Sequence, residues 1–472
     1  MKEFSVAALA RIVKGRIEPD TSREQRATSD AYITGASTDS RTTQAGDCFF
    51  AIVGENFDGH NYIGEAFTKG AVCAVVNRNR VTAPMPQGTV LKVNDTVKAL
   101  GDFAREYRRQ CGFKVVAITG SVGKTMTRQI AYHVLSRHFG VFASPKNFNN
   151  NIGLPLTLLG AGPEHKIVIA ELGTNHPGEI AYLTRIASPD VAVVTNVYPA
   201  HLEGFGDLQT IVREKLSISE GLSHHGVLII NTGLVKWLNG SRLNYQLPIA
   251  NHQVMTFGKS SASDYRARSI ICDGLHSHFT IDSKQIRLPV PGLGNVENAV
   301  AAWAICSRFG LTIDDFAQAV ETLSTVPMRA ELLQIGTLTV INDCYNANPA
   351  SVKNAMNILT NVGSAGGRRL VFICGDMAEL GQQSQALHTE LGASIAQAKV
   401  EVLLAVGKFA KVTAEAAREA AEYDLQTKCF EDTLSACNNL KEFIADNDII
   451  LVKGSRAARL ELATEKLKEL FA

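Results

Sequence analysis

The 472-residue sequence has no long apolar run, no Cys-x-x-Cys pair and no surplus of either charge. The first absence excludes a membrane-spanning helix, which needs about 20 predominantly apolar residues in succession. Residues 1–10 form a short amphipathic stretch interrupted by Arg11, too brief and too polar for a secretory signal. The nine cysteines are odd in number, scattered, and nowhere spaced with histidine as a zinc site requires. That usage fits reduced thiols and a cytoplasmic protein. Lys and Arg total 47 against 46 Asp and Glu, so the basic surplus expected of a nucleic-acid-binding protein is missing. Internal repeats and low-complexity tracts are absent as well. What remains is a globular chain, 45% hydrophobic and 20% charged, long enough for about three domains.

The pattern along the chain predicts an α/β protein. The first unit, 1–95, reads as a small mixed α/β domain, with a strand at 89–93 preceded by a loop containing Pro84 and Pro86. The second, 96–326, alternates helices with Val- and Ile-rich strands at 114–118, 167–170, 191–195 and 227–230, the signature of a mostly parallel sheet covered on both faces. Finer alternation over 251–291 predicts several short strands, and 295–309 a helix ending at Gly310. The third unit, 327–472, repeats the doubly wound pattern with strands at 338–342, 370–374, 402–406 and 449–452.

The segment with the most chemistry follows the strand at 114–118. Gly120-Ser121-Val122-Gly123-Lys124-Thr125 joins that strand to a helix carrying Ile130, Val134, Leu135 and Phe139 at helical spacing. Glycines let backbone N–H groups crowd around phosphates, the helix N-terminus adds partial positive charge, Lys124 a full one, and the Thr125 hydroxyl can hold Mg²⁺. ATP or GTP binding is the first inference, although Ile118 stands where the usual pattern has another glycine. Ligands of parallel sheets collect at the C-terminal strand ends. The acid at such an end, Glu171, is a candidate for Mg²⁺, and His201, in the loop after 191–195, for a second metal site. Lys215 alone reads as a surface helix lysine. Asparagines at 295 and 298 lie just inside a helix, while 342–349 and 375–381 place acids and amides in strand-to-helix turns.

Together these segments resemble the Mur ligases of peptidoglycan synthesis, in the branch that couples D-alanyl-D-alanine to a UDP-N-acetylmuramoyl-tripeptide. The resemblance rests on Ser37-Thr38-Asp39-Ser40-Arg41, Asp58-Gly59-His60, residues 119–125, 147–157, 171–176, 201–206, 343–349, 375–381 and Lys453-Gly454-Ser455-Arg456. Asn175-His176-x-Gly178-Glu179-Ile180 and Tyr345-Asn346-Ala347-Asn348-Pro349 look particular to that branch. A glycine loop without its first glycine is normal for the family.

The resemblance implies an N-terminal domain for the UDP-substrate, a central ATPase domain and a C-terminal Rossmann-like domain that binds the dipeptide. It implies ATP-dependent amide-bond formation through an acyl phosphate, in a cytoplasmic monomer. Gly120, Ser121, Val122, Gly123, Lys124 and Thr125 would bind ATP. Asn295, Arg329 and Asp343 would contact adenine, phosphate and ribose. Thr125 and Glu171 would hold one Mg²⁺ and His201 a second. Lys215 matches a lysine that the family carbamylates with CO₂, making an anion able to bind Mg²⁺. Ser37, Ser40, Arg41, Asn149 and Asn150 would bind the UDP-substrate. The chain departs from the pattern at Gly294, where a histidine often stands, at Met328, often glycine, and at Asn231-Thr232-Gly233, which lacks an aspartate. The nearest rival is a related ligase, such as a folylpolyglutamate synthase or a different Mur step. The first domain with its Thr-Asp-Ser-Arg segment, together with the Tyr-Asn-Ala-Asn-Pro turn, discriminates against it. A nucleotide-driven switch protein would need neither His201 nor Lys215.

Overall fold

Short β-branched runs separated by helical segments can bury both faces of a strand only in a sheet covered on each side. The computed structural model, which describes residues 1–18, 31–80, 88–145, 147–238, 252–363 and 367–472, contains three such sheets. The loop with Pro84 and Pro86 lies outside the described residues. The central sheet has seven strands in the order Tyr265–Arg266, Gln253–Gly258, Val227–Asn231, Val191–Val194, Lys114–Thr119, Ile167–Glu171, Val141–Ala143. All of its pairings are parallel, with Val115 opposite Val168 and Ile118 opposite Glu171. Parallel register brings the C-terminal ends of the strands at Thr119, Glu171 and Val194 to one edge.

The C-terminal sheet has six strands, ordered Glu331–Ile335, Leu338–Asn342, Ile449–Lys453, Leu370–Gly375, Val402–Val406, Gln426–Phe430. Its first pair is an antiparallel hairpin and the rest are parallel. The strands Glu331–Ile335 and Gln426–Phe430 are additions to the sequence reading. In the N-terminal unit, Arg16–Glu18, Thr89–Val93, Cys73–Asn77, Asp47–Phe50 and Gly35–Ser37 lie side by side in that order. The short strands expected over 251–291 divide. Gln253–Gly258 and Tyr265–Arg266 extend the central sheet, while Arg268–Cys272, Ser277–Ile281 and Lys284–Leu288 form a separate antiparallel one.

Three helices fix the frame around the site. Thr96–Cys111 starts at Asp95, whose carboxylate accepts from the N–H groups of Val97 and Lys98 at 2.9 Å, and stops at Gly112, with φ of 69°. Its Phe103 meets Phe4 edge-on at 5.4 Å, and Tyr107 lies beside the same ring. Burying such an aromatic is worth about 1.5–3 kcal/mol. Through these residues the apolar core of the N-terminal sheet continues into one face of the central sheet. On the other face, Lys124–Leu135 packs against Leu293–Ser307, a helix rich in alanine and buried along most of its length.

Candidate active site

The turn after Lys114–Thr119 is shaped by two glycines. Gly120 has φ of +144° and Gly123 of +89°, and a Cβ on either would sit 2.0 Å from Thr195 Oγ1 or 2.1 Å from Asn298 Oδ1. No side chain caps the helix that Gly123 begins, leaving its first-turn N–H groups and the positive end of its dipole for an anion. The rest of the loop is laced to the next strand end. Ser121 N–H and Val122 N–H donate to Asn196 O at 3.0 Å and Asn196 Oδ1 at 2.9 Å. Ser121 Oγ donates to Tyr198 O, also at 3.0 Å. Asn196 therefore sets the loop's shape. Lys124 Nζ donates to Gly120 O at 2.7 Å, folded over the cradle.

Glu171 is 2% exposed and lies beside this loop. Thr125 Oγ1 donates to its Oε2 at 3.2 Å. Its Oε1 faces Arg128 Nε at 3.0 Å, yet neither buried atom completes a hydrogen bond. The carboxylate is thus ion-paired with Arg128 at Oε1, while its Oε2, held by Thr125, faces the phosphate loop where a cation could be bound. Among the described residues, no three His, Cys, Asp or Glu side chains converge on a metal position. Mg²⁺ is commonly held by only one or two carboxylates, with phosphate oxygens and retained waters completing its shell.

Lys215 lies in the helix Leu208–Leu216 and is 1% exposed, against its reading in isolation as a surface lysine. Burial pushes its ammonium well below the ordinary lysine range, and the charge of Lys124 pushes the same way. Lys124 is lowered too, first by burial, with Glu171 opposing and Arg329 adding to the effect. The neighbouring Glu214, unremarked in the sequence, is also buried. Its carboxylate accepts from Gly178 N–H and Ile180 N–H at 2.7 Å and lies 3.1 Å from Thr174 Oγ1. Glu179 Oε2 accepts from the N–H groups of Asn175 and His176. Two carboxylates thus hold the loop before Glu179–Ala187 against the site.

His201, with φ of 55°, precedes the short helix Leu202–Phe205 and pairs through Nδ1 with Glu379 of the C-terminal unit. The Arg329 guanidinium lies 4.0 Å over the Tyr345 ring. Asp343 accepts from Ala330 N–H at 3.1 Å and from Lys453 Nζ at 2.6 Å, and Lys453 is buried. Asn295 is occupied internally: Nδ2 donates to Pro291 O at 2.7 Å, and Oδ1 accepts from Asn298 at 3.3 Å. Gly294 N–H donates to Asn354 Oδ1 at 3.1 Å, and a Cβ at Gly294 would sit 2.8 Å from that oxygen. A histidine there would displace Asn354, so the departure at Gly294 has a steric basis.

The remaining candidates stand apart from the glycine loop or serve the backbone. Ser37 and Ser40 are buried in the N-terminal unit, and Ser40 Oγ donates to Glu65 at 3.0 Å. The Arg41 side chain is 82% exposed and paired with Asp39 at 2.7 Å, a partner that holds the Asp39 carboxyl below its usual range. His60 Nε2 accepts from Asn77 N–H at 2.9 Å, which places the ring proton at Nδ1, 2.6 Å from Asp58 Oδ1. Asn149 O accepts from Gly173 N–H at 2.8 Å, bringing this residue beside the Glu171 strand end. Asn150 Oδ1 accepts from Ile152 and Gly153 N–H at 3.1 and 2.8 Å, at the start of Gly153–Gly160.

Comparison with known proteins gives consistent matches along the chain. Residues 32–108 match the family model for the Mur ligase family catalytic domain, 118–306 the Mur ligase middle domain, and 328–456 the Mur ligase glutamate ligase domain. The chain is 35% identical over 474 residues to the UDP-N-acetylmuramoyl-tripeptide–D-alanyl-D-alanine ligase of Bacillus subtilis, covering 99% of both sequences. A crystal structure of MurF from Acinetobacter baumannii superposes with a TM-score of 0.86 at 30% identity, covering 99% of both chains. MurF ligase from Thermotoga maritima in complex with ADP superposes with a TM-score of 0.77 at 26% identity, over 92% of this chain and 97% of that one. Matches that run through all three sheets and nearly the full length of a relative leave one conclusion: this chain belongs to the Mur ligase family.

Proposed function

We propose that this protein is the ATP-dependent ligase that joins D-alanyl-D-alanine to UDP-N-acetylmuramoyl-tripeptide in cytoplasmic peptidoglycan precursor synthesis. The observation that carries the reading is the uncapped helix start at Gly123, with Lys124 over it and the buried Glu171 carboxylate beside it. The 35% identity over 99% of a ligase of that name supplies the substrates. The working division is a UDP-substrate domain over 1–95, an ATP domain over 96–326 and a Rossmann-like ligase domain over 327–472, acting as a monomer.

The chemistry asks two anions to meet. Unit like charges at 4 Å repel by about 4 kcal/mol at an effective dielectric near 20. Lys124 and the N–H groups of the helix start bind the triphosphate and offset that repulsion. A peptide carboxylate oxygen attacks the γ-phosphorus, and the bond to ADP breaks. The dipeptide amine then attacks the acyl phosphate carbon, and inorganic phosphate leaves as the amide forms and the amine loses a proton. Thr125 and Glu171 would hold one Mg²⁺, and His201 with carbamylated Lys215 another; the ions supply positive charge at the transferring phosphoryl group. The depressed pKa of Lys215 favours the neutral amine that CO₂ requires. Gly120, Ser121 and Val122 complete the phosphate loop. Arg329, Asp343 and Asn295 stand on the nucleotide side, and Ser37, Ser40, Arg41, Asn149 and Asn150 on the UDP-substrate side.

The test is a panel of UDP-muramyl peptides with D-alanyl-D-alanine or D-alanyl-D-lactate, read by product mass and phosphate release. Phosphate should appear only with ATP, a muramyl tripeptide and the dipeptide together. Release with neither acceptor nor dipeptide would reject a ligase in favour of a nucleotide-driven switch.

A further inference from the structure

The mechanism leaves one contact between units unused. Glu379 lies in the turn after the strand Leu370–Gly375, and its carboxylate is ion-paired with His201 Nδ1 of the central unit, a buried ring nitrogen that completes no hydrogen bond in the structure. Both residues have left-handed backbones, φ of 62° for Glu379 and 55° for His201. Non-glycine residues adopt that conformation at a cost, and such sites concentrate where function fixes geometry.

The turn that carries Glu379 is pinned on both sides. Asp376 accepts from Lys408 N–H at 2.7 Å and Phe409 N–H at 3.0 Å. Met377 N–H donates to His388 Nε2 at 3.1 Å, and the buried His388 ring stacks on Phe409 at 4.5 Å. Across the contact, Glu203 N–H donates to Glu379 O at 3.2 Å, and Leu387 packs on Leu202, Phe205 and Ile211. The pair itself is partly exposed, 23% for the His201 side chain and 46% for Glu379. Exposed ion pairs contribute about 0–1 kcal/mol, so the placement of two strained residues face to face is poorly explained by stability.

We propose that Glu379 is a positioning residue for His201: supplied by the C-terminal unit, it holds the ring proton at Nδ1 and leaves Nε2 as the free lone pair. This rests on the ligase reading above, in which His201 serves the second cation. A carboxylate on the far nitrogen of a metal-binding histidine fixes tautomer and ring orientation, and its loss costs about 10–100-fold in metal affinity or activity. Correct presentation of His201 then depends on the C-terminal unit being docked, which couples assembly of the three units to chemistry.

The test uses the full-length protein with E379A, E379Q and H201N. Asparagine tolerates the left-handed backbone at 201, so H201N serves to assign the His201 ring signals by their loss. Long-range proton–nitrogen correlation should show the Nδ1–H tautomer in the wild type and in E379Q, whose amide oxygen still accepts. In E379A the tautomer balance should shift toward Nε2–H. Mn²⁺ binding with ADP, read by electron paramagnetic resonance, should weaken about 10-fold in E379A and largely recover in E379Q. An E379A protein with wild-type ring signals and wild-type Mn²⁺ binding would overturn the proposal. A wild type that makes no ligation product would overturn the ligase reading instead, while the ring signals would still decide the role of Glu379.

Discussion

Two lysines of one site, the half-buried Lys124 and the buried Lys215, face opposite requirements. In the proposed reaction Lys124 would keep its proton to grip phosphate, whereas Lys215 would lose one to react with CO₂. Burial lowers both, with Glu171 opposing and Arg329 adding to the effect at Lys124, and Lys124 adding and Glu214 and Glu179 opposing at Lys215. Yet only Lys215 is pushed well below the ordinary lysine range. The unfolded chain holds a proton at this lysine up to the ordinary range, but the folded chain loses it earlier. Folding therefore releases a proton between the two values, and stability rises with pH across that window before levelling above the unfolded value. In CO₂-free buffer, K215M should be neutral to about 2 kcal/mol more stable than wild type at pH 7, because folding no longer has to strip a proton from this side chain. Its advantage should shrink by pH 10, and ligation should be lost. Urea denaturation at both pH values checks this; a K215M protein destabilised equally at both would show that Lys215 is held by compensating contacts.

At the scale of elements, legibility followed how locally each feature is encoded. The strands Leu338–Asn342 and Val402–Val406 match the sequence reading residue for residue because they are buried along their whole length and mostly apolar. Gln426–Phe430 escaped it because an edge strand needs only one covered face, and its residues alternate between exposed and partly buried up to Phe430. Glu331–Ile335 escaped it as the outer arm of a hairpin turned by Gly336, with φ of +54°. In the site, Lys124, Thr125 and Glu171 are legible as a strand end and a helix start. Asn196 and Glu214 bind backbone groups many residues away, which spacing does not reveal. The uncapped helix at Gly123 contrasts with Thr96–Cys111, where Asp95 occupies the equivalent amides. G123A should therefore damage binding before fold. Its Cβ would intrude on Asn298 Oδ1 at 2.1 Å and oppose a φ of +89°. ADP affinity measured by calorimetry should fall at least about 10-fold, roughly 1.4 kcal/mol of lost contact. Unchanged affinity would remove the glycine loop from nucleotide binding.

For the whole molecule, the three units differ in how they are joined. The N-terminal and central units share one apolar core through Thr96–Cys111. The C-terminal unit meets the central one through contacts that include the polar pairs His201–Glu379, Glu203–Glu379 and Gly294–Asn354 and the small apolar cluster around Leu387. Interfaces of this kind permit relative motion, and a ligase that encloses its substrates must open to exchange them. The contact offers a direct way to arrest that motion. A Cβ on Gly381 would lie 3.6 Å from Glu203 Cβ, within the span of a disulfide. The double variant E203C/G381C should form this bridge on mild oxidation, detectable as a cross-linked peptide by mass, despite the left-handed φ of +56° at Gly381. The nine native cysteines are unpaired in the structure, and six are buried. They provide the background control in the unmodified chain. Multiple turnovers should fall more than about 10-fold on oxidation and return with reductant, because substrates can enter and products leave only when the C-terminal unit swings away. A cross-linked enzyme that cycles at the reduced rate would show that catalysis runs without separation of the two units, and that the contact at Glu203 is a fixed joint.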